Sequence, residues 1–306
     1  LALVGTSGSG KSSLVRSGLI PALQSGFMAG ASSTWRMAIM RPGEDPIGHL
    51  ATALASPHVL GLKDADLANT ADVLIEATVR RSAMGLVDAV RQARIPKDEN
   101  VLVLVDQFEE LFRFRRSRHA HSRDDAIAFV RLLIEASHQR EVPVYIVLTM
   151  RSDFIGDCMD FPGLAEAVNE GLYVVGRMWR DALRSAITGP VAVGGGTIAP
   201  RLVHRVLNDL GDDHDQLPLV QHALMRTWDH WERTRKGSAP LDIGDYETIG
   251  TIRNALSMHA EEAYQQAAGE GKERVVEHVL KSLTDTFSDH RGVRRPTSIE
   301  ELSAIT

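Results

Sequence analysis

The chain has 306 residues and a mass of 33.5 kDa, and it is 43% hydrophobic, 24% charged and 5% aromatic. This composition excludes a largely disordered chain, and the length suits two or more compact domains. The formal charge of −6 argues against a surface that binds polyanions throughout, the single cysteine excludes a disulfide framework, and no apolar run approaches the roughly 20 residues of a membrane span. We therefore expect a cytoplasmic protein that contacts no membrane.

Short apolar runs alternate with helical patterns from the start of the chain to about residue 190. This alternation is typical of a parallel sheet whose strands are joined by crossover helices. Nearly continuous apolar runs, such as all the predicted strands except the second, are typical of strands buried on both faces. The strands are predicted over residues 1–4, 35–40, 101–105, 144–149 and 172–175, and helices over 12–24, 72–91, 124–139 and 180–188. The first strand is already under way at Leu1, so we expect a fragment of a longer chain.

The remainder of the chain shows helical patterns almost to its end. Three glycines at residues 194–196 predict a turn and a linker. Beyond them, four apolar stripes at helical spacing predict helices. The stripes begin at Leu202, Leu217, Ile252 and Val276. Residues 291–295 predict a short turn or β-wing, followed by a last helix that starts at Thr297 or Ser298.

The first predicted strand leads into a glycine-rich loop that matches G-x-x-x-x-G-K-[ST] in full. Glycines let successive N–H groups point at phosphate oxygens, and the following helix adds its N-terminal dipole. Lysine supplies a cation for the β- and γ-phosphates, and serine offers a hydroxyl to Mg²⁺. The residues predicted to bind the nucleotide are Gly5, Ser7, Gly8, Ser9, Gly10, Lys11, Ser12 and Ser13.

The third predicted strand ends in a carboxylate, Asp106. A carboxylate after five apolar residues is costly to bury unless it meets a cation, so we predict that Asp106 and Ser12 hold the metal. Glu109 and Glu110 follow, and one of them could act as the general base for an attacking water. The alternative is that both are solvated acids in the first turn of a helix.

The fourth predicted strand ends at Thr149 and is followed closely by Arg151. A polar residue and an arginine at the tip of a central strand are well placed to sense the γ-phosphate. The alternative is that Arg151 pairs with Asp153 or Asp157 in a surface loop.

Together these residues resemble the STAND class of signalling NTPases, and specifically the bacterial group called novel STAND NTPases. The resemblance favours Glu110 as the catalytic acid, with Glu109 second, and assigns Thr149 and Arg151 to a first sensor. It also implies that Pro218 contacts the nucleotide from a helical domain. The motifs that carry it lie at residues 5–23, 41–46, 101–113, 148–154 and 216–224, and the first and third are specific in combination.

The resemblance implies an α/β P-loop NTPase with a three-layer parallel sheet over residues 1–190, truncated at its N-terminus. A helical domain is expected over 191–238 and a winged-helix-like domain over 239–306. ATP or ADP and Mg²⁺ are the expected cofactors.

The same resemblance implies a slowly hydrolysing switch, in bacterial signalling or anti-phage defence. It would self-associate when it holds ATP, and effector and repeat-type sensor domains would flank it in a longer parent chain. Two alternatives stay open, namely an AAA+-like ATPase that handles DNA and a nucleotide-binding scaffold without turnover. Nucleic acid is the less expected partner, because acidic residues predominate in the last helices.

Overall fold

The computed structural model of the chain forms two compact units, Leu1–Arg177 and Met178–Thr306. None of the helices among the described residues has the length and apolarity needed to cross a membrane. The described residues are 1–28, 34–61, 70–115, 120–211, 217–235, 237–269, 272–285, 293–294, 297 and 299–305.

A five-stranded parallel sheet forms the centre of the first unit, which confirms the predicted fold class. The strands lie in the order β2-β3-β4-β1-β5. Their carboxyl ends share one edge of the sheet, and β4 lies between β1 and β3 at that edge. The strands are β1 (Ala2–Gly5), β2 (Thr34–Met40), β3 (Glu99–Val105), β4 (Val144–Arg151) and β5 (Leu172–Val174).

Helices cover the sheet on both faces and bury a core that includes β1, β3 and β4. Asp45 caps the first long helix by accepting a hydrogen bond from the N–H of Gly48 (3.0 Å). The α-helices are Lys11–Leu14, Ile20–Gln24, Pro46–Ala55, Ala71–Val79, Gly85–Ala93, Glu110–Arg115, Ala120–His138 and Leu164–Glu170, and the 3₁₀ helices are Ser152–Phe154 and Gly156–Asp160.

A π-helical turn, Val15–Leu19, interrupts the predicted helix over residues 12–24. The Ile20 N–H donates to the Val15 carbonyl, five residues earlier, in place of the α-helical partner. Pro21 follows directly. Its ring has no N–H and clashes with the carbonyl four residues before it in a regular helix, so a wider turn at this point relieves the conflict.

Two predictions for the first unit are wrong. The single helix predicted over residues 72–91 is two helices, because Gly85 turns the chain so tightly that a Cβ there would lie 2.3 Å from the Val79 carbonyl oxygen. The fifth strand is exposed, with 55% exposure at Tyr173 and 64% at Val174. It is an edge strand that pairs with β1 alone among the described strands, so apolar sequence does not imply burial on both faces here.

The second unit is helical around its own core, which includes Leu202, Val206, Tyr246 and Ile252. Its helices are Arg180–Val193, Pro200–Leu210, Leu217–Thr234, Ile243–Thr248, Thr251–Ala268, Glu273–Ser282 and Ile299–Ile305. The predicted domain boundary at residue 190 therefore falls within a helix of this unit, and the three-domain division stays a prediction.

The glycines at residues 194–196 do not form a free linker, because their N–H groups bond to carbonyls at the end of the helix Arg180–Val193 and two of them contact Trp228. A Cβ on Gly194 would lie 2.7 Å from the Trp228 ring, and one on Gly196 would lie 2.8 Å from it. Glycine is needed here for close approach to an indole rather than for flexibility.

The end of the chain was predicted to hold a β-wing over residues 291–295 and a helix starting at Thr297 or Ser298. Val293–Arg294 pairs antiparallel with Thr284–Asp285, and the helix begins at Ile299. Residues 291, 292, 295 and 298 lie outside the described residues, as does Gln216 of the motif at 216–224. The winged-helix-like unit stays a prediction.

Candidate functional site

The glycine-rich loop leaves β1 at the carboxyl edge of the sheet and leads into the helix that begins at Lys11. Gly8 and Gly10 have φ angles of +74° and +85°, a region that glycine adopts without steric cost. A Cβ on Gly5 would lie 2.9 Å from the Ser9 hydroxyl. These three glycines let the loop close tightly over the end of β1.

The ammonium group of Lys11 is folded into this loop. Its Nζ donates to the carbonyl oxygens of Gly5 (2.9 Å) and Thr6 (2.7 Å) and to the Ser9 hydroxyl (3.4 Å). Burial lowers the pKa of Lys11, although the nearby Glu109 carboxylate opposes the shift. The lysine is thus a partly desolvated cation held at the mouth of the loop.

Asp106 follows β3 and is 1% exposed. Its Oδ1 accepts hydrogen bonds from the hydroxyls of Ser12 (2.6 Å) and Thr149 (2.7 Å), and its Oδ2 accepts one from the guanidinium of Arg16 (3.2 Å). Burial alone would raise the pKa of Asp106, but the two hydroxyls and the charges of Arg16 and Arg41 outweigh it and lower the pKa. The carboxylate is therefore ionised at neutral pH.

Thr149, at the end of β4, joins the tips of the neighbouring strands. Besides donating to Asp106, its hydroxyl accepts a hydrogen bond from the Gln107 N–H (3.0 Å), and its carbonyl accepts one from the Phe108 N–H (2.8 Å). Gln107 has a φ of +57°, which is uncommon for a residue with a side chain. The two bonds to Thr149 stabilise this turn, which directs the chain toward Glu109 and Glu110.

Glu109 lies buried between the loop and the end of β4. Its Oε2 accepts a hydrogen bond from the Arg151 N–H (3.3 Å). Burial raises the pKa of Glu109, although backbone hydrogen bonds and the charges of Lys11 and Arg151 oppose the rise. A carboxylate with a raised pKa is suited to accept a proton near neutral pH.

Glu110 is half-buried at the start of the helix Glu110–Arg115. Its Oε2 accepts a hydrogen bond from the Gly43 N–H (3.3 Å). With the Gln107 amide turned so that its nitrogen faces Glu110, it donates to Oε1 over 3.0 Å and accepts from Arg41 over 3.2 Å. Residues 41–46, a weak motif by itself, thus reach the acidic motif.

Arg151 forms an ion pair with Asp153, as the alternative interpretation of its role expected. Its guanidinium also lies over the Phe154 ring, 5.7 Å from the centroid, while its Nε is buried without a hydrogen-bond partner. The charge of Arg151 nevertheless acts on both Lys11 and Glu109. The arginine therefore belongs to the same charged cluster as the phosphate loop, and its sensor role stays a prediction.

The structure brings together most of the residues that the sequence singled out. Ser7 and Ser13 are exposed beside the loop, whereas Pro218 lies in the second unit, in the first turn of the helix Leu217–Thr234. Sequence reasoning missed the contact of Arg16 with Asp106 and the effect of the Arg41 charge on that carboxylate. The signal for Arg16 was present, because it lies four residues after Ser12 and hence on the same face of a helix.

The oxygens of Asp106 and Ser12 suit a magnesium ion. Mg²⁺ prefers hard oxygen ligands and is usually held by one or two carboxylates together with water and substrate phosphates. The described residues contain no group of three or more histidine, cysteine or acidic side chains arranged for a metal. A site with a single carboxylate, beside a loop built for phosphate, fits an ion that arrives with its nucleotide.

The sequence profile of the family described as Novel STAND NTPase 1 matches residues 1–306. The chain belongs to this family. As a member of the novel STAND NTPases, it is a P-loop NTPase, and its glycine-rich loop is bonded to Asp106 through Ser12. No curated protein matches the sequence.

Two solved structures from Aeropyrum pernix are similar to this STAND NTPase in fold. The ORC1 protein in complex with DNA is 14% identical, with a TM-score of 0.52 over 99% of this chain and 75% of that one. The ORC2 protein in its ADP form is also 14% identical, with a TM-score of 0.52 over 84% of this chain and 61% of that one. At this identity the likeness concerns the fold alone.

Proposed function

We propose that this STAND NTPase is an ATP-binding, slowly hydrolysing switch domain that couples a sensor to an effector in the bacterial cytoplasm, in signalling or anti-phage defence. The observation that carries the nucleotide site is the hydrogen bond between Ser12 and Asp106 (2.6 Å). It joins the phosphate loop after β1 to the acidic end of β3, two strands away in the sheet.

Different groups of the loop would bind different parts of the ATP–Mg²⁺ complex. The N–H groups between Gly5 and Lys11 would face the phosphates, and the Lys11 ammonium would exchange its loop carbonyls for phosphate oxygens. Ser12 and Asp106 would hold Mg²⁺, which neutralises charge on the phosphates when it is bound. Ser12 can do so while it donates to Asp106, because its oxygen keeps its lone pairs.

Two carboxylates are available to the attacking water. Glu110 is the first choice on the family resemblance, and its contacts to Gly43 and Gln107 would fix its position. Glu109 is the alternative, supported by its raised pKa and its bond to the Arg151 N–H. Either group would orient the water and accept its proton.

We propose slow turnover because the charged groups already have partners within the chain. Lys11 is bonded to its own loop, and Arg151 is paired with Asp153. Each must exchange a partner within the chain for a phosphate oxygen before it stabilises charge there. Such exchanges suit a switch, in which ATP and ADP would favour different arrangements. We also propose self-association in the ATP state, within a longer parent chain that carries effector and sensor domains.

The nucleotide site is tested by Lys11→Ala, with Lys97→Ala as the control. Both substitutions remove one lysine charge, but Lys97 is exposed in a turn before β3. We expect Lys11→Ala to weaken binding of a fluorescent ATP analogue by about 100-fold or more, while Lys97→Ala binds as the wild type does. Equal affinity in all three proteins would remove the basis for the site.

Hydrolysis is tested separately with Glu110→Gln and Glu109→Gln, which keep the shape of each side chain. The variant that lacks the general base should bind ATP normally but release phosphate about 100-fold more slowly or worse. A wild-type protein that binds ATP and releases no phosphate would favour the alternative of a scaffold without turnover.

A DNA-handling ATPase is the second candidate, because the ORC1 structure of similar fold was determined in complex with DNA. The charges of the second unit argue against it. Arg226 is bound by both oxygens of Glu262 (2.6 and 2.7 Å), so this arginine is not free to contact phosphates. A mobility-shift assay at low and high salt decides the question, since salt-sensitive DNA binding would favour this candidate.

A further inference from the structure

Arg16 contacts the metal-binding carboxylate that the proposed function assigns to Asp106. Its terminal nitrogen lies 3.2 Å from Oδ2, and the side chains of Arg16 and Asp106 are 49% and 1% exposed. A carboxylate this deeply buried is costly unless a cation or hydrogen-bond donors compensate its charge. Oδ1 has two hydroxyl donors, whereas Oδ2 faces the guanidinium.

The helix that follows the phosphate loop delivers both contacts from one face. Ser12 and Arg16 are four residues apart, so their side chains lie one turn apart on the same side of the helix. The hydroxyl reaches Oδ1 and the guanidinium reaches Oδ2. The segment that binds phosphate therefore also supplies the counter-ion of the metal-binding residue.

A divalent cation at Ser12 and Asp106 would bring a second positive charge against this guanidinium. Like charges repel strongly in a partly buried site. A guanidinium stays charged in proteins, so an arginine does not relieve the repulsion by losing its proton. The Arg16 side chain must move away from Asp106 instead. Half of this side chain is exposed, so it can turn toward solvent.

We propose that Arg16 is the resident counter-ion of Asp106 in the metal-free protein and competes with the divalent cation for that carboxylate. The inference rests on the proposed function, since it takes Asp106 as the metal-binding residue. Arg16 is thus a positioning residue that keeps Asp106 ionised and in place, and it sets how much free metal the site needs. Loading of the metal and release of Arg16 are one coupled event.

The test is a direct titration of the purified chain with Mn²⁺, followed by electron paramagnetic resonance, with and without ADP. A half-exposed ion pair is worth up to about 1 kcal/mol, so Arg16→Ala should bind Mn²⁺ about fivefold more tightly than the wild type. Arg16→Lys keeps the charge and should stay close to the wild type. Arg91→Ala is the matched control, because Arg91 is 48% exposed and also pairs with a carboxylate, Asp88.

A second measurement needs no activity and is made with and without ADP. In EDTA, Arg16→Ala should have a lower Tm than the wild type, because Asp106 loses its counter-ion. Added Mn²⁺ should raise the Tm of Arg16→Ala by more than that of the wild type. Arg91→Ala should respond to Mn²⁺ as the wild type does.

The outcomes separate this inference from the proposed function. If the wild type binds Mn²⁺ and Asp106→Asn does not, the metal site stands. Unchanged or weaker Mn²⁺ binding in Arg16→Ala would then overturn the role of Arg16 alone. If neither the wild type nor Asp106→Asn binds Mn²⁺, with or without ADP, the metal site and the role of Arg16 both fail.

Discussion

Thr149 shows how one hydroxyl can define the geometry of this site. It donates to Asp106 and accepts from the Gln107 N–H, so its donor and one acceptor position are in use within the protein. The resemblance to the STAND class assigns Thr149 to a sensor of the γ-phosphate. Its contacts support a positioning role as well, because they fix both the carboxylate and the turn that leads to the predicted catalytic acids, Glu109 and Glu110.

Thr149→Val tests this role with a side chain of nearly the same shape. The substitution leaves the buried Gln107 N–H without its acceptor and removes one donor from Asp106, so we expect a loss of about 1–3 kcal/mol in the free energy of unfolding. Unfolding in urea measures it. The control is Thr248→Val, where an exposed hydroxyl bonds a helix carbonyl and the change should stay within about 0.5 kcal/mol. Equal losses in both variants would contradict the positioning role.

At the scale of elements, close backbone contacts decide where helices begin and end. Gly85 starts a helix against the carbonyl groups of Thr78 and Val79, which end the preceding one. Pro21 has a comparable effect on the helix after the phosphate loop, where the π-helical turn Val15–Leu19 precedes it. In both cases a residue with unusual backbone properties overrides an apolar pattern that predicts one regular helix.

Gly85→Ala should therefore destabilise the first unit. The added Cβ would lie 2.3 Å from one backbone oxygen and 2.7 Å from another, and backbone atoms cannot move aside as a flexible side chain can, so we expect a cost of about 1–3 kcal/mol. Thermal unfolding measures it. Gly244→Ala is the matched control, because it lies within the helix Ile243–Thr248 with no atom near its Cβ position. There alanine should stabilise the helix by about 0.5–1 kcal/mol.

At the scale of the whole molecule, the chain has two compact units, and all the described contacts of Asp106 lie in the first. Pro218, in the second unit, is the predicted nucleotide contact from the helical domain. Whether Pro218 contacts the nucleotide therefore decides whether this part of the second unit takes part in nucleotide binding.

Pro218→Ala tests that role. If the proline contacts the nucleotide, its loss should raise the Kd for ADP by about fivefold, as expected for one apolar contact of about 1 kcal/mol. Pro200→Ala is the control, since Pro200 is also an exposed proline in the first turn of a helix of the second unit. Calorimetric titration with ADP measures both variants. An unchanged Kd for Pro218→Ala would contradict the predicted contact of Pro218 with the nucleotide.

The sequence alone determined the sheet and the centre of the site. Apolar residues marked all five strands to within a few residues. For β1 and β3 the reason is that burial on both faces demands continuous apolar sequence. The phosphate loop and Asp106 could be found because phosphate and metal binding constrain residue type and spacing along the chain. These features depend on short segments of the sequence, so they could be predicted without the structure.

Only the tertiary structure decided which side chains from distant segments meet. The contacts of Arg16, Thr149 and Arg41 around Asp106 and its turn depend on the order β2-β3-β4-β1-β5, which places β4 between the two motif strands. The packing of Gly194 and Gly196 against Trp228 likewise joins different segments of the chain. Such contacts depend on the packing of whole elements. The periodic pattern of one element does not show which residues of another element pack against it.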